Sequence, residues 1–162
     1  MEAPRLHVKD AAGFSGVWRE VHFEEWTSPG SSAQMRIRLE KRRAFLEELP
    51  AHRKVITISI VRDDAIKPLD KDQRSTVDEG VAQVAPRAKC GAVVIDSSGF
   101  KAVIIRSIIA ALTLVQGSKY PTKTFDNLDA MFAWIAPMLE STATAEELSA
   151  AYRELVEVAA RS

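Results

Sequence analysis

One stretch constrains this chain more than any other. Gly91-Ala-Val-Val-Ile-Asp-Ser-Ser-Gly99 is a short apolar run ending in small polar residues, and the very apolar 100–115 follows at once. The first part reads as a buried strand over 92–95. The second reads as a helix over 101–115, capped by Ser97 or Ser98 and ended by Gly117. A strand and a helix this apolar must sit at the centre of a compact fold. Ile104, Ile105, Ile108, Ile109, Leu112, Leu114 and Val115 cover more than the single face that a helix needs against a sheet. The surplus calls for a cover, which is either the C-terminal helix or a second copy of the chain in an isologous dimer. The candidate interface is Ile105, Ile109 and Leu112, with Tyr152 and Leu155 from the terminal helix. Arg106 interrupts the segment, which is shorter than the roughly 20 residues that span a bilayer, so no membrane span is expected.

The rest of the chain supplies matching parts. Residues 5–8 read as a short edge strand and Gly13 and Gly16 as a turn. Residues 17–26 then read as one strand, with Val17, Val21 and Phe23 on one face and Trp18 and Trp26 on the other. Met35, Leu39, Leu46 and Leu49 lie on one face of a helix over 33–49, opened by Ser31 or Ser32 and stopped by Pro50. Lys54–Val61 is β-branched nearly throughout, which suits a central strand covered on both sides. Asp70 and Gln73 make a capping box for a helix running to about 85. A short strand over 120–125 leads to a helix capped by Asp126 and kinked or ended at Pro137. Thr144-Ala-Glu-Glu147 is a second capping box, opening a last helix with Leu148, Tyr152, Leu155 and Ala159 on one side.

This order predicts an α/β fold: a mixed sheet of four or five strands with helices packed against it and an extra C-terminal helix. Residues 1–140 would form the domain. Residues 141–162 would be a helical extension, packed on it or on a partner.

The element order, together with Tyr120-Pro-Thr-Lys-Thr-Phe-Asp-Asn-Leu-Asp-Ala-Met-Phe-Ala-Trp-Ile135, resembles the STAS domain (sulphate transporter and anti-sigma-factor antagonist) and its stand-alone bacterial relatives. The resemblance covers roughly 15–139. It implies a STAS-like, non-enzymatic module that binds a protein partner, in some members switched by phosphorylation of a serine at a strand-to-helix turn; others bind small ligands or lipids. Asp96-Ser97-Ser98-Gly99 is similar to the family's phosphorylation signature, with Ser98 as the acceptor. Counting elements, however, puts the family serine in the turn Arg62–Ser75, nearest Ser75, where the signature is missing. The resemblance therefore implies a degenerate or absent switch. Ser97 and Ser98 read as a helix cap that could also hold an anion.

Other chemistry is sparse. Arg36, Arg38, Lys41, Arg42 and Arg43 form a basic patch that is either an anion or nucleic-acid surface or a solvated helix face. Lys plus Arg equal Asp plus Glu at 22 each, and the patch lacks aromatic interleaving, so nucleic acid is not the expected partner. Asp63 and Asp64 follow a central strand but have no third ligand for a cation. His7, His22 and His52 make no metal-spaced pair, and no Gly-rich phosphate loop occurs. No cofactor or metal is expected. The lone Cys90 and the lack of an apolar leader core fit a reducing, cytoplasmic setting. Two functions stand: a protein-interaction module acting as a homodimer with a protein partner, or a small-molecule or lipid-binding domain with a pocket between sheet and helices.

Overall fold

The computed structural model describes residues 2–96 and 119–162. Its elements are β1 (Arg5–Asp10), β2 (Gly13–Trp18), β3 (Val21–Trp26), α1 (Ser32–Glu48), β4 (Val55–Arg62), α2 (Lys71–Val84), β5 (Ala88–Asp96), β6 (Thr122–Phe125), α3 (Leu128–Ile135) and α4 (Ala145–Arg161). The strands form one mixed sheet in simple chain order, β1 to β6. The first two junctions are antiparallel and the next three parallel. The α/β class and the C-terminal helix match the expectation, but the sheet has six strands rather than four or five.

The extra strand comes from a turn that carries no turn residue. Residues 17–26 are not one strand: the chain reverses at Arg19-Glu20, where Arg19 takes a φ of 53°. That left-handed conformation is uncommon outside glycine and asparagine. The Arg19 guanidinium lies over the Trp18 ring at 4.5 Å. The buried Glu20 carboxylate accepts from Ser141 N at 3.0 Å and Ser141 Oγ at 3.1 Å. Tertiary contacts thus supply what a glycine would have supplied locally. Gly13 and Gly16 lie inside β2 instead, where a Cβ on Gly16 would come within 2.6 Å of a Leu155 methyl. The reversal also changes the faces: Trp18 joins Val21 and Phe23, while Val17 faces the other way.

Caps follow local chemistry. Ser31 with Gln34, Asp70 with Gln73 and Thr144 with Glu147 all close capping boxes. Asn127 rather than Asp126 caps α3, accepting from Ala130 N at 2.8 Å, while Asp126 binds the Asn127 amide. Pro137 falls in the 3-10 turn Ala136–Met138 that ends this helix. The exposed carbonyls at the end of α1 are gathered by Arg87, which donates to Leu46 O, to Leu49 O at 3.3 Å, to Pro50 O at 2.6 Å and to Arg53 O at 3.0 Å.

The two faces of the sheet are covered differently. Ile56, Ile58 and Ile60 point to the side where α3 and α4 bring Met131, Phe132, Ile135, Leu148, Tyr152 and Leu155, all buried in one continuous core. The opposite side holds a smaller cluster of Val17, Val55, Phe45, Leu46 and Val84 beneath α1 and α2. Since α4 packs in cis, Tyr152 and Leu155 are core residues of the single chain and not a surface for a second copy. Ile105, Ile109, Leu112 and Ser98 lie outside the described residues, as does the predicted helix that contains the first three. No described helix is long and apolar enough to cross a membrane.

A candidate functional site at the carboxyl ends of the parallel strands

Strand alternation sends two charged residues into the α4 side of the sheet. Glu25 is in phase with Val21 and Phe23 on β3, and Arg62 is in phase with the buried isoleucines of β4. Parallel register sets Arg62 beside Asp96 at the end of β5. The third turn of α4 lowers Tyr152 onto this corner. The Tyr152 hydroxyl donates to Glu25 Oε2 and accepts from Arg62 Nη2 at 2.9 Å. Arg62 Nε donates to Glu25 Oε1 at 3.1 Å, and its Nη1 pairs with Asp96 Oδ2. Four side chains from β3, β4, β5 and α4 therefore form one closed network. It lies outside the carboxyl ends of adjacent parallel strands, where open α/β sheets hold their ligands.

The electrostatics fix the proton positions. Burial pushes the Tyr152 phenol well above its ordinary value, and the Glu25 hydrogen bond and charge push the same way against Arg62. The phenol is therefore a permanent donor to Glu25. Burial alone would lower the Arg62 guanidinium, but the hydrogen bonds it donates to Glu25 and Asp96 and the charges of Tyr152 and Glu25 outweigh burial and raise it, so it stays charged. Glu25 is 6% exposed, whereas the side chains of Arg62 and Asp96 are 30% and 57% exposed. The corner is thus a buried carboxylate and phenol under an accessible cation–carboxylate rim. Such a rim can exchange Asp96 for a carboxylate or phosphate brought by a partner.

The predicted sites fare unevenly. Ser75 is exposed on α2, beyond the Asp70 cap and away from this corner. The basic patch does not exist as a continuous surface. Arg38 is fully buried, donating to Phe14 O at 3.2 Å and Glu25 O at 3.0 Å, pairing with Asp10 at 3.0 Å and stacking 3.7 Å over Trp26. Arg42 reaches across to α2, donating to Gly80 O at 2.9 Å and Gln83 Oε1 at 3.2 Å. Arg36 and Arg43 share Glu79, and Lys41 is exposed with no ion pair among the described residues. A guanidinium fits these buried carbonyls better than water would, so the helix spends its charges on its own packing. Asp63 and Asp64 are exposed in a 3-10 turn, and among the described residues no three His, Cys, Asp or Glu side chains converge as a metal set. Cys90 is buried, which pushes its thiol up to about 11.

The Glu25–Arg62–Tyr152 corner was not among the predicted sites. Its sequence signal was a charged residue at an in-phase apolar position, once in 21–26 and once in 55–62. No family model matches the chain, and no curated protein or solved structure matches it.

Proposed function

We propose that the chain is a non-enzymatic, STAS-like regulatory or scaffolding module that acts in the cytoplasm, as a homodimer, through a protein partner. The observation that carries this reading is the element order: a hairpin, then parallel strands in strict succession, with β6 running into α3 over the Tyr120–Ile135 segment. The Arg62–Asp96 rim supports it, because an accessible ion pair at the strand ends offers a partner's acidic group a ready exchange. The homodimer rests on the apolar surplus of residues 104–115.

A second reading has one observation in its favour. An open groove of about 510 Å³ runs between the C-terminal ends of α1 and α2, walled by Leu46, Leu49 and Pro86 with Arg43, Gln83 and Arg87 at its polar edge. That volume is in the range of small-molecule sites, although the groove is open and lies between two helix ends rather than between sheet and helices as that reading expects.

The test is capture from the native cell with the wild-type chain and the Asp96→Asn variant as baits, alongside light scattering. The proposal expects one recurrent protein, a change in its recovery with Asp96→Asn, and the mass of two chains. A single-chain mass at micromolar concentration contradicts the dimer. No recurrent protein, together with a co-purifying small molecule, overturns the reading in favour of the second.

A further inference from the structure

The seam between α1 and the first three strands holds buried polar atoms that the fold leaves without partners. His22 on β3 is 1% exposed and Ser15 on β2 is fully buried. His22 Nε2, Ser15 Oγ, His7 Nδ1 and Arg38 Nε have no hydrogen-bond partner among the described residues. His22, Ser15 and His7 lie on adjacent strands of the sheet, and Arg38 reaches them from α1. His22 pairs with Val17, Ser15 pairs with Val8, and His7 sits at the register shift between Leu6 and Val8. Both imidazoles lie against Phe45 of α1, each at 6.2 Å between ring centroids.

The surroundings favour neutral rings. Burial holds His22 well below its ordinary value, and Arg42, His7 and Arg38 push it further down. His7 is lowered by burial, then by Arg5 and Lys41, against Glu48. The acids nearby are committed elsewhere: Asp10 to Arg38 and Glu48 to Arg5. Glu24 stands two residues further along β3, opposite Ser15 and Ser59, and the group beside His22 on β4 is the uncharged Thr57. A proton arriving on His22 therefore meets cations and a phenyl ring.

We propose that this seam is an acid-sensitive joint: protonation of His22, with His7 beside it, loosens α1 from the β1–β3 hairpins while α3 and α4 stay docked. The proton gains solvation only when the seam opens to water, so acid favours the opened form. Among the described residues the docked side has no comparable trigger, because its polar corner is closed on itself by Tyr152, Glu25 and Arg62.

Amide hydrogen exchange read residue by residue, corrected for intrinsic rates, tests this in the full chain. The expectation is that opening of α1 and β1 rises by up to about tenfold per pH unit below about 6.5 for each histidine that opening hydrates, with α4 unchanged. In His22→Gln the pH dependence flattens to what His7 alone supplies. The ring nitrogens of His22 in the wild type, followed by NMR, give a second readout that needs no variant: they take up the proton over the pH range where α1 begins to open. Exchange of α1 that ignores pH overturns the proposal. So does exchange that rises equally in α1 and α4, which is global unfolding, and so does a His22 ring that titrates near 6.5 without any change in α1.

Discussion

The two sides of this sheet handle polar groups in opposite ways. Among the described residues, the charged side chains buried on the α4 side meet at one corner and bond to one another: Tyr152 to Glu25, Arg62 to both, Asp96 to Arg62. On the α1 side polar side chains are spread along the strands, and several buried atoms have no partner among the described residues. Arginines do much of the holding there, by reaching backbone carbonyls: Arg38 those of Phe14 and Glu25, Arg87 those at the end of α1, Arg42 that of Gly80. A closed network costs little once formed, whereas an orphaned buried group leaves its desolvation unrecovered. One side is therefore fixed mainly by apolar packing, and the other by long-range polar clamps that substitutions and protons can reach.

Four substitutions sharpen that contrast. Leu155→Ala empties a fully buried position beside Gly16 in the α4 side and should cost about 3–4 kcal/mol in urea unfolding. A loss below about 1 kcal/mol would mean that α4 is an appendage. Arg38→Met keeps the stem but removes the clamp, taking the guanidinium from two buried carbonyls and leaving Asp10 with the Ala12 N–H as its donor among the described residues. It should cost about 2–3 kcal/mol, less than a fully buried pair because the Asp10 side chain is 19% exposed. Thr144→Ala takes the cap from α4 and should lower stability by about 1 kcal/mol. Glu79→Gln releases Arg36 and Arg43 at the surface and should change stability by about 0.5 kcal/mol or less, showing that these arginines, unlike Arg38, hold nothing together.

What could be read from the sequence divides along the same line. The boxes at Asp70 and Thr144 and the stop at Pro137 were legible because their causes lie within four residues. The strand 54–61 was legible because β-branched residues run nearly unbroken through it, and β4 occupies 55–62. The turn at Arg19-Glu20 was not, since what holds it is Ser141, distant in sequence. The arginines of α1 looked like a patch because sequence shows their charge and hides the carbonyls they face. The Tyr152 corner needs three strands in register and a helix laid across them, so it was not read from the sequence, although Glu25 and Arg62 stand in phase with the apolar residues of their strands.

The central claim is that the α4 side is closed and the α1 side answers to protons. The direct measurement is urea stability of wild type, Tyr152→Phe and His22→Gln at several values between about pH 7 and about pH 5. The sign for His22 follows from its lowered value in the fold. Below the ordinary 6.5 the unfolded chain takes up the proton and the folded chain does not, so stability falls with falling pH. The slope reaches at most about 1.4 kcal/mol per pH unit for that one residue. Wild type should lose stability over this range, and the gap between it and His22→Gln should shift steadily in the variant's favour. The Tyr152→Phe curve should lie about 1–2 kcal/mol below wild type and run parallel to it. A His22→Gln curve parallel to wild type, with Tyr152→Phe the one that converges or diverges, would contradict the account.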